Sequence, residues 1–439
     1  MTTPGLPLRW RRLLQLVLLA QLIGAGVAVG IWLYHQEIGL VNGLRLQLAA
    51  VLPRPLVLPL FGLLGGLAAG ALVSGVEPAA RGSGIVQVLL FLKGVPVPMG
   101  LRVALVKLLA SGIAIGSGLP VGPEGPSIQI GASIAHDTAR GLVDGRRRRL
   151  AVAIGSGSGL AAVFHAPLGG LAYVLEELLG RANLRVNALA AFSTFMAVAW
   201  TRLFNGHGGG PMWLRNMAPI IAFPTTLNEL RLLDLPLLLS LGVLAGVLAV
   251  GYQRSILSLR SRLRRLPLAA WQLLPLAGLL IGLGWSLLPP TFDDPDRLGF
   301  QALMGLNGPG QALLALVVQA IGTAIAVAAE APGGFLAPAL VVGASLGSLF
   351  AQACFSLWHY APATLLFAGA GAFLGALTRT PLTAILLTFE LSKDYALLLP
   401  IGFAVLTAIA TADLLERSAF FQLLEQEALR AADPTSGSS

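Results

Sequence analysis

Charge is scarce in this chain. Only 11% of its 439 residues are Asp, Glu, Lys or Arg, against about 25% in an ordinary soluble domain. That composition excludes a water-soluble globule, which needs far more polar surface. A single cysteine, Cys354, leaves neither a disulfide framework nor a thiolate metal centre. The five histidines form no cluster, and His136 and His165 stand alone. No Ser/His/Asp set and no phosphate-binding glycine–lysine loop is recognisable, which weighs against an integral membrane enzyme. The sequence calls for no metal and no cofactor.

What is abundant is hydrocarbon. Hydrophobic residues make up 56% of the chain and the mean hydropathy is +0.80. Segments near the roughly 20 apolar residues that a spanning helix needs run from Leu13 to Leu33, Leu56 to Val73, Leu101 to Leu119, Leu184 to Leu203, Leu233 to Tyr252, Leu268 to Leu287, Ala312 to Ala329, Leu340 to Leu357 and Leu397 to Leu414. The fold class is an all-α polytopic membrane protein whose solvent is the lipid bilayer. The first segment is too long for a signal-peptide core and lacks a small-residue cleavage site, so it reads as retained.

A net charge of +9 raises the question of nucleic acid, but the placement of the arginines answers it. They gather at Arg9, Arg11 and Arg12, at Arg140 with Arg146 to Arg149, and at Arg254, Arg260, Arg262, Arg264 and Arg265, each beside an apolar segment. That is the pattern of cytoplasmic loops. The acidic stretch Phe292-Asp293-Asp294-Pro295-Asp296 reads as the opposite side. No nucleic-acid partner is implied.

Against this background two carboxylates stand out: Glu124, in Gly118-Leu-Pro-Val-Gly-Pro-Glu-Gly-Pro126, and Glu177, in Leu175-Glu-Glu-Leu178. An ionisable group at membrane depth costs roughly 2.5 kcal/mol or more unless it is paired or reaches water. Such residues mark pathways, here an ion path with proton handling.

The chain also contains itself twice. Pro126-Ser-Ile-Gln-Ile-Gly-Ala-Ser-Ile134 matches Pro338-Ala-Leu-Val-Val-Gly-Ala-Ser-Leu346, an offset of 212 residues. Ala166-Pro167-Leu168 with Glu176 matches Thr380-Pro381-Leu382 with Glu390, an offset of 214. Duplicated halves are the signature of transporters whose site lies between the repeats, on broken helices. The expected division is a cytoplasmic N-terminus over 1–13, a first membrane repeat over 14–205, a connector over 206–232, a second repeat over 233–415, a C-terminal helix over 416–432 and a disordered tail over 433–439.

Glycine and proline concentrate at three interruptions: Arg81 to Ile85, Gly116 to Pro126 and Ala331 to Pro338. Each precedes a helix-like segment and therefore aims free N–H groups and a positive dipole end at whatever lies ahead. Several such ends together make an anion site without a full positive charge. Partial charges can replace a hydration shell and still release the ion.

These blocks resemble the CLC family of chloride channels and chloride/proton antiporters. Gly82-Ser83-Gly84-Ile85 is similar to the family's GSGIP, and Gly122-Pro-Glu-Gly-Pro126 to its GREGP. Pro332-Gly-Gly-Phe-Leu-Ala-Pro338 is similar to PGGIFAP, and Ala162-Val-Phe-His-Ala-Pro-Leu168 leading to Glu176-Glu177 to AAFNAPL…EE. The resemblance covers nearly the whole chain. It implies an inverted repeat of about 17 or 18 helices, broken helices meeting at a central anion site, and a homodimer in the cell inner (plasma) membrane. Ser83, Gly84, Gly125, Phe335, Leu336 and Phe420 would line the anion site. Glu124 would be the gating glutamate that competes with the anion. Glu177 would transfer protons from inside, with adjacent Glu176 as the alternative, while Glu390 is expected to end a helix at the surface.

Departures from the family pattern carry their own expectations. Phe420 stands where the family has a tyrosine, which removes one O–H donor from the central site. Pro123 removes a basic residue and a backbone N–H before Glu124, and Val86 replaces a proline. Glu330 stands where the family has glycine, and its role, with or without an arginine partner, is left open by the sequence. Ser83 favours chloride over nitrate and argues against the fluoride-exporting branch. The short tail past the last helix implies a prokaryotic type without nucleotide-binding regulatory domains. The leading function is exchange of chloride for protons. A passive chloride channel of the same fold is the alternative, favoured by the weakened coordination at Phe420.

Overall fold

Hydrocarbon offers no partner to a free backbone N–H or C=O, so a spanning chain closes its hydrogen bonds within each segment. The computed structural model describes residues 8–180, 183–205, 234–290, 309–358 and 364–432, and these form sixteen α-helices. The acidic stretch at 292–296, the connector at 206–232 and the tail at 433–439 lie outside the described residues.

The first half holds α1 (Leu8–Val51), α2 (Arg54–Gly75), α3 (Ile85–Leu92), α4 (Leu101–Gly116), α5 (Glu124–Ala139), α6 (Gly145–Phe164), α7 (Pro167–Tyr173) and α8 (Leu184–Phe204). The second half holds α9 (Leu235–Arg264), α10 (Ala270–Trp285), α11 (Pro309–Ala328), α12 (Leu336–Trp358), α13 (Leu365–Thr378), α14 (Pro381–Ser392) and α15 (Leu398–Leu415). Helix α16 (Phe420–Ala432) follows.

Hydropathy alone missed part of this architecture. The segment expected to stop near Leu33 continues to Val51, as a helix of 44 residues. Helices α5 and α6 are absent from the apolar segments because glycine, alanine, serine and threonine dilute their hydropathy, whereas α13 and α14 are apolar but, at 14 and 12 residues, too short to register as spans. Yet every residue of α6 from Ala151 to Phe164 is buried. Small side chains are what let these backbones approach each other. Serines inside α6 return their hydroxyls to the preceding turn, Ser156 to the Val152 carbonyl at 2.8 Å and Ser158 to that of Ile154 at 3.0 Å, so they cost little in an apolar setting.

The repeat is written in the packing. A Cβ on Gly131 of α5 would collide with the Gly155 carbonyl of α6. A Cβ on Gly343 of α12, the equivalent position 212 residues on, would collide with the Gly369 carbonyl of α13. Across the halves, Gly62 of α2 and Gly278 of α10 each present backbone to the space where the other's Cβ would lie. The chain reversals before α7 and α14 also match: His165 and Arg379, each two residues before a helix-starting proline, adopt left-handed φ of 52° and 59°.

Candidate functional site

Each of the three expected interruptions is a break before a helix. Gly84, with φ 91°, caps the start of α3; Pro123 caps α5; and the turn ending at Phe335 leads into α12. The second and third breaks are tied to each other by an antiparallel bridge. Gly122 N–H donates to the Gly334 carbonyl at 2.9 Å, and Gly334 N–H to the Gly122 carbonyl at 2.6 Å.

Glu124 opens α5 and is fully buried. Its carboxylate accepts the Ala337 N–H at 3.1 Å, with the Leu336 amide alongside. It therefore lies at the positive end of α12, in the kind of amide cradle that suits an anion. A Cβ on either Gly122 or Gly334 would overlap this carboxylate, which explains why both positions are glycine. The other oxygen, Oε2, has no hydrogen-bond partner among the described residues.

Gly125 and Ser83 complete the junction. A Cβ on Gly125 would come within 2.6 Å of the Ser83 carbonyl oxygen and 2.8 Å of the Gly334 Cα. The Ser83 hydroxyl accepts the Ile85 N–H at 3.3 Å. Phe335 packs on Phe420 with ring centroids 4.8 Å apart, and both rings are buried. Tyr252 also stacks on Phe335, with ring centroids 6.0 Å apart. It does not restore the hydroxyl that Phe420 lacks, because its own donates to the Ala320 carbonyl at 2.7 Å. Thus Ser83, Gly125, Glu124, Leu336, Phe335 and Phe420, dispersed over more than 300 residues of sequence, are brought together.

Two contributors were not picked out from the sequence. Ala337 supplies the amide that Glu124 engages. Lys107 is wholly buried in α4 and donates to the Ala80 and Gly82 carbonyls at 3.0 and 2.5 Å, which fixes the loop that carries Ser83. A lone lysine within an apolar run was the available signal.

Glu176 and Glu177 sit on a π-helical turn, Val174–Leu179, that continues α7; such turns redirect side chains. Glu176 is committed to α14: its oxygens accept the Leu382 N–H at 2.8 Å, and the Thr383 N–H and hydroxyl at 2.7 Å each. Glu390, expected at a free surface, instead accepts the Leu168 and Gly169 N–H groups of α7 at 3.0 and 2.7 Å. Glu177 is half-buried and makes no such bond among the described residues, and the charges acting on it are Glu425, Glu176 and Lys93.

Glu330, left open by the sequence, sits in an arginine cage. Arg81 Nε and Arg260 Nη2 each approach it at 2.5 Å, and Arg264 Nη2 at 2.7 Å. Burial pushes its carboxyl up, but Arg260 and Arg81, with Arg264, outweigh that and hold it below the usual carboxylate range. It is a paired acid that anchors the loop before Phe335, because its carbonyl also accepts the Gly82 N–H at 3.1 Å. A cavity of about 350 Å³ opens beside it, lined by Arg81, Arg264 and Leu263 among others. Among the described residues no three His, Cys, Asp or Glu side chains gather as a metal ion would require.

Residues 65–413 match the family described as voltage gated chloride channel. The chain is 29% identical to the H(+)/Cl(-) exchange transporter ClcA of Cronobacter sakazakii over 95% of this chain and 92% of that one. It is 30% identical to the transporter of the same name from Klebsiella pneumoniae, over 94% and 87%. The crystal structure of a slow cyanobacterial Cl-/H+ antiporter superposes with a TM-score of 0.85 at 28% identity, covering 96% of this chain and 99% of the other. With the glutamate-filled amide cradle and the two tied breaks already in place, the match over most of its length makes this chain a member of the CLC family, the voltage gated chloride channel family of membrane transporters.

Proposed function

We infer that this protein exchanges chloride for protons across the membrane. The observation that carries the reading is the Glu124 carboxylate seated on the Gly122–Gly334 bridge, accepting the Ala337 amide of α12. A carboxylate there stands where an anion would bind. Deprotonated, it fills the cradle; protonated, it loses its charge, swings out, and chloride takes its place. Ser83 faces the chloride from the side of the basic clusters, with the amides around Gly84, Gly125, Phe335 and Leu336. Phe420 closes that approach with a ring that cannot donate. Glu177 passes protons between the inner water and Glu124, since Glu176 is engaged elsewhere.

The names of the relatives support the same exchange, and the fold supports placement in the cell inner (plasma) membrane as a homodimer, each subunit with its own path. The repeats are taken as 14–205 and 233–415. A passive chloride channel is the second reading, favoured by the missing hydroxyl at Phe420, since coupling depends on holding the anion while the proton moves.

Reconstituted protein separates the two. Under a chloride gradient, an antiporter's reversal potential moves when a pH gradient is added. A potential indifferent to pH would leave the channel.

A further inference from the structure

The arginine cage around Glu330 carries more positive charge than it neutralises. Arg264 gives Nε and Nη2 to Glu330 and Nη1 to Glu427, while Arg260 gives Nη2 to Glu330 and Nε to Glu427. Arg81 meets Glu330 through Nε at 2.5 Å, and its two Nη atoms make no hydrogen bond among the described residues. Three guanidinium groups against two carboxylates leave one positive charge. The Arg81 side chain is 39% exposed and lines the adjoining cavity of about 350 Å³. That size lies at the lower end of ligand pockets, about 300–1,000 Å³. Much of the remaining wall is hydrocarbon: Leu263 near the end of α9, Leu268 in the turn that follows, and Leu273 in α10.

Leu273 also begins a stripe. At spacings of three and four residues come Leu276, Leu280 and Leu283, all exposed on α10, while Leu274, Ala277, Gly278 and Ile281 of the same helix are buried. One exposed apolar face on a spanning helix is the face that lipid covers. Trp271, exposed at the start of α10, is of the type that gathers at a membrane–water interface. Arg262 and Arg265 are exposed on the same turn and belong to the basic cluster read as cytoplasmic. A positively charged cavity at the inner interface therefore shares a wall, Leu273, with a hydrocarbon face.

We propose that this cavity binds the headgroup of an anionic phospholipid of the inner leaflet, its phosphate on the Arg81 fork and an acyl chain along the α10 leucines. A guanidinium offers paired N–H groups to two phosphate oxygens, and basic pockets on the cytoplasmic side of helix bundles suit such headgroups. The residual positive charge turns away the quaternary amine of a zwitterionic lipid. Arg81 stands two residues before Ser83. Its carbonyl accepts Gln87 Nε2 at 2.8 Å, and the next N–H, of Gly82, donates to the Glu330 carbonyl at 3.1 Å. The lipid thus braces the loop that carries Ser83, and does so whether the chain exchanges ions or conducts them.

Native mass spectrometry of the full chain in detergent, titrated with phosphatidylglycerol or phosphatidylcholine, tests this. The wild type retains phosphatidylglycerol and not phosphatidylcholine; equal retention of the two overturns the proposal. Arg81→Gln weakens phosphatidylglycerol binding about tenfold or more, and Arg81→Lys, which keeps the charge without the fork, lies between. If Arg81→Gln fails to fold, Leu273→Asp decides. An acid is well placed near the N-terminus of α10 but sets a carboxylate against the phosphate, so this variant also loses the lipid. A folded variant of either kind that binds like the wild type overturns the proposal. Inorganic phosphate in equal amount leaves the lipid in place, and displacement by it would make this a site for a free oxyanion, against the lipid assignment. In liposomes, adding phosphatidylglycerol to phosphatidylcholine speeds chloride flux through the wild type more than through Leu273→Asp. The same gain in both would overturn the bracing of the Ser83 loop.

Discussion

Glu176 and Glu390 cap each other's repeat. Each ends a helix that starts with proline in its own half, and each carboxylate takes two backbone N–H groups from the first turn of the matching helix in the other half. Charged caps of this kind combine the N-cap bond with the helix dipole.

Replacing either glutamate by alanine should therefore lower stability by about 1–2 kcal/mol. Denaturant unfolding in detergent checks this, and chloride selectivity should be unaffected. A variant as stable as the parent would mean that lipid or a partner subunit carries the contact between α7 and α14.

Glu124→Gln removes the charge but keeps the shape. Anion flow should become uncoupled and indifferent to pH, and proton flux should fall to background. Simultaneous chloride and proton electrodes read both. A flux still steeply dependent on pH would move the gate elsewhere.

Phe420→Tyr returns a hydroxyl to the end of α16. A hydrogen bond to a charged group is worth about 1.5–3 kcal/mol, so chloride affinity measured by calorimetry should rise about tenfold or more. No gain would place the ring's edge away from the bound ion.

The Glu330 cage gives a stability prediction with a definite sign. Its carboxyl is held below its unfolded value of about 4.3, so its stabilisation is in full force above that pH and fades as pH falls through the folded value. Glu330→Gln leaves Arg81 without its carboxylate and Arg260 and Arg264 with Glu427 alone, and should cost about 1–3 kcal/mol at neutral pH. The gap between variant and parent should narrow in acid, as thermal unfolding across pH would show.

Much of the site was legible from residue order. The three breaks, the glutamate between a proline and a glycine and the serine between glycines were all readable, because each needs a residue type that hydrocarbon or an ordinary helix disfavours. What could not be read was pairing over distance. The three arginines around Glu330 come from one remote loop (Arg81) and one helix, α9 (Arg260 and Arg264), and nothing in the chain near residue 330 announces them. Glu390 looked like a free helix end because its partners, the amides of Leu168 and Gly169, are 222 and 221 residues away. Helix α6 was hidden for the opposite reason: its glycines and serines are the means of close packing and the cause of its low hydropathy.

The glycine-to-glycine tie between residues 122 and 334 has a mechanical consequence. It joins the two halves with main-chain bonds beside the Glu124 carboxylate, so rocking one half against the other would tear two of them at every cycle. Turnover can instead be confined to the rotation of one side chain, a turnstile set in a stiff frame. Covalently stapling the halves near that stitch should then leave throughput intact.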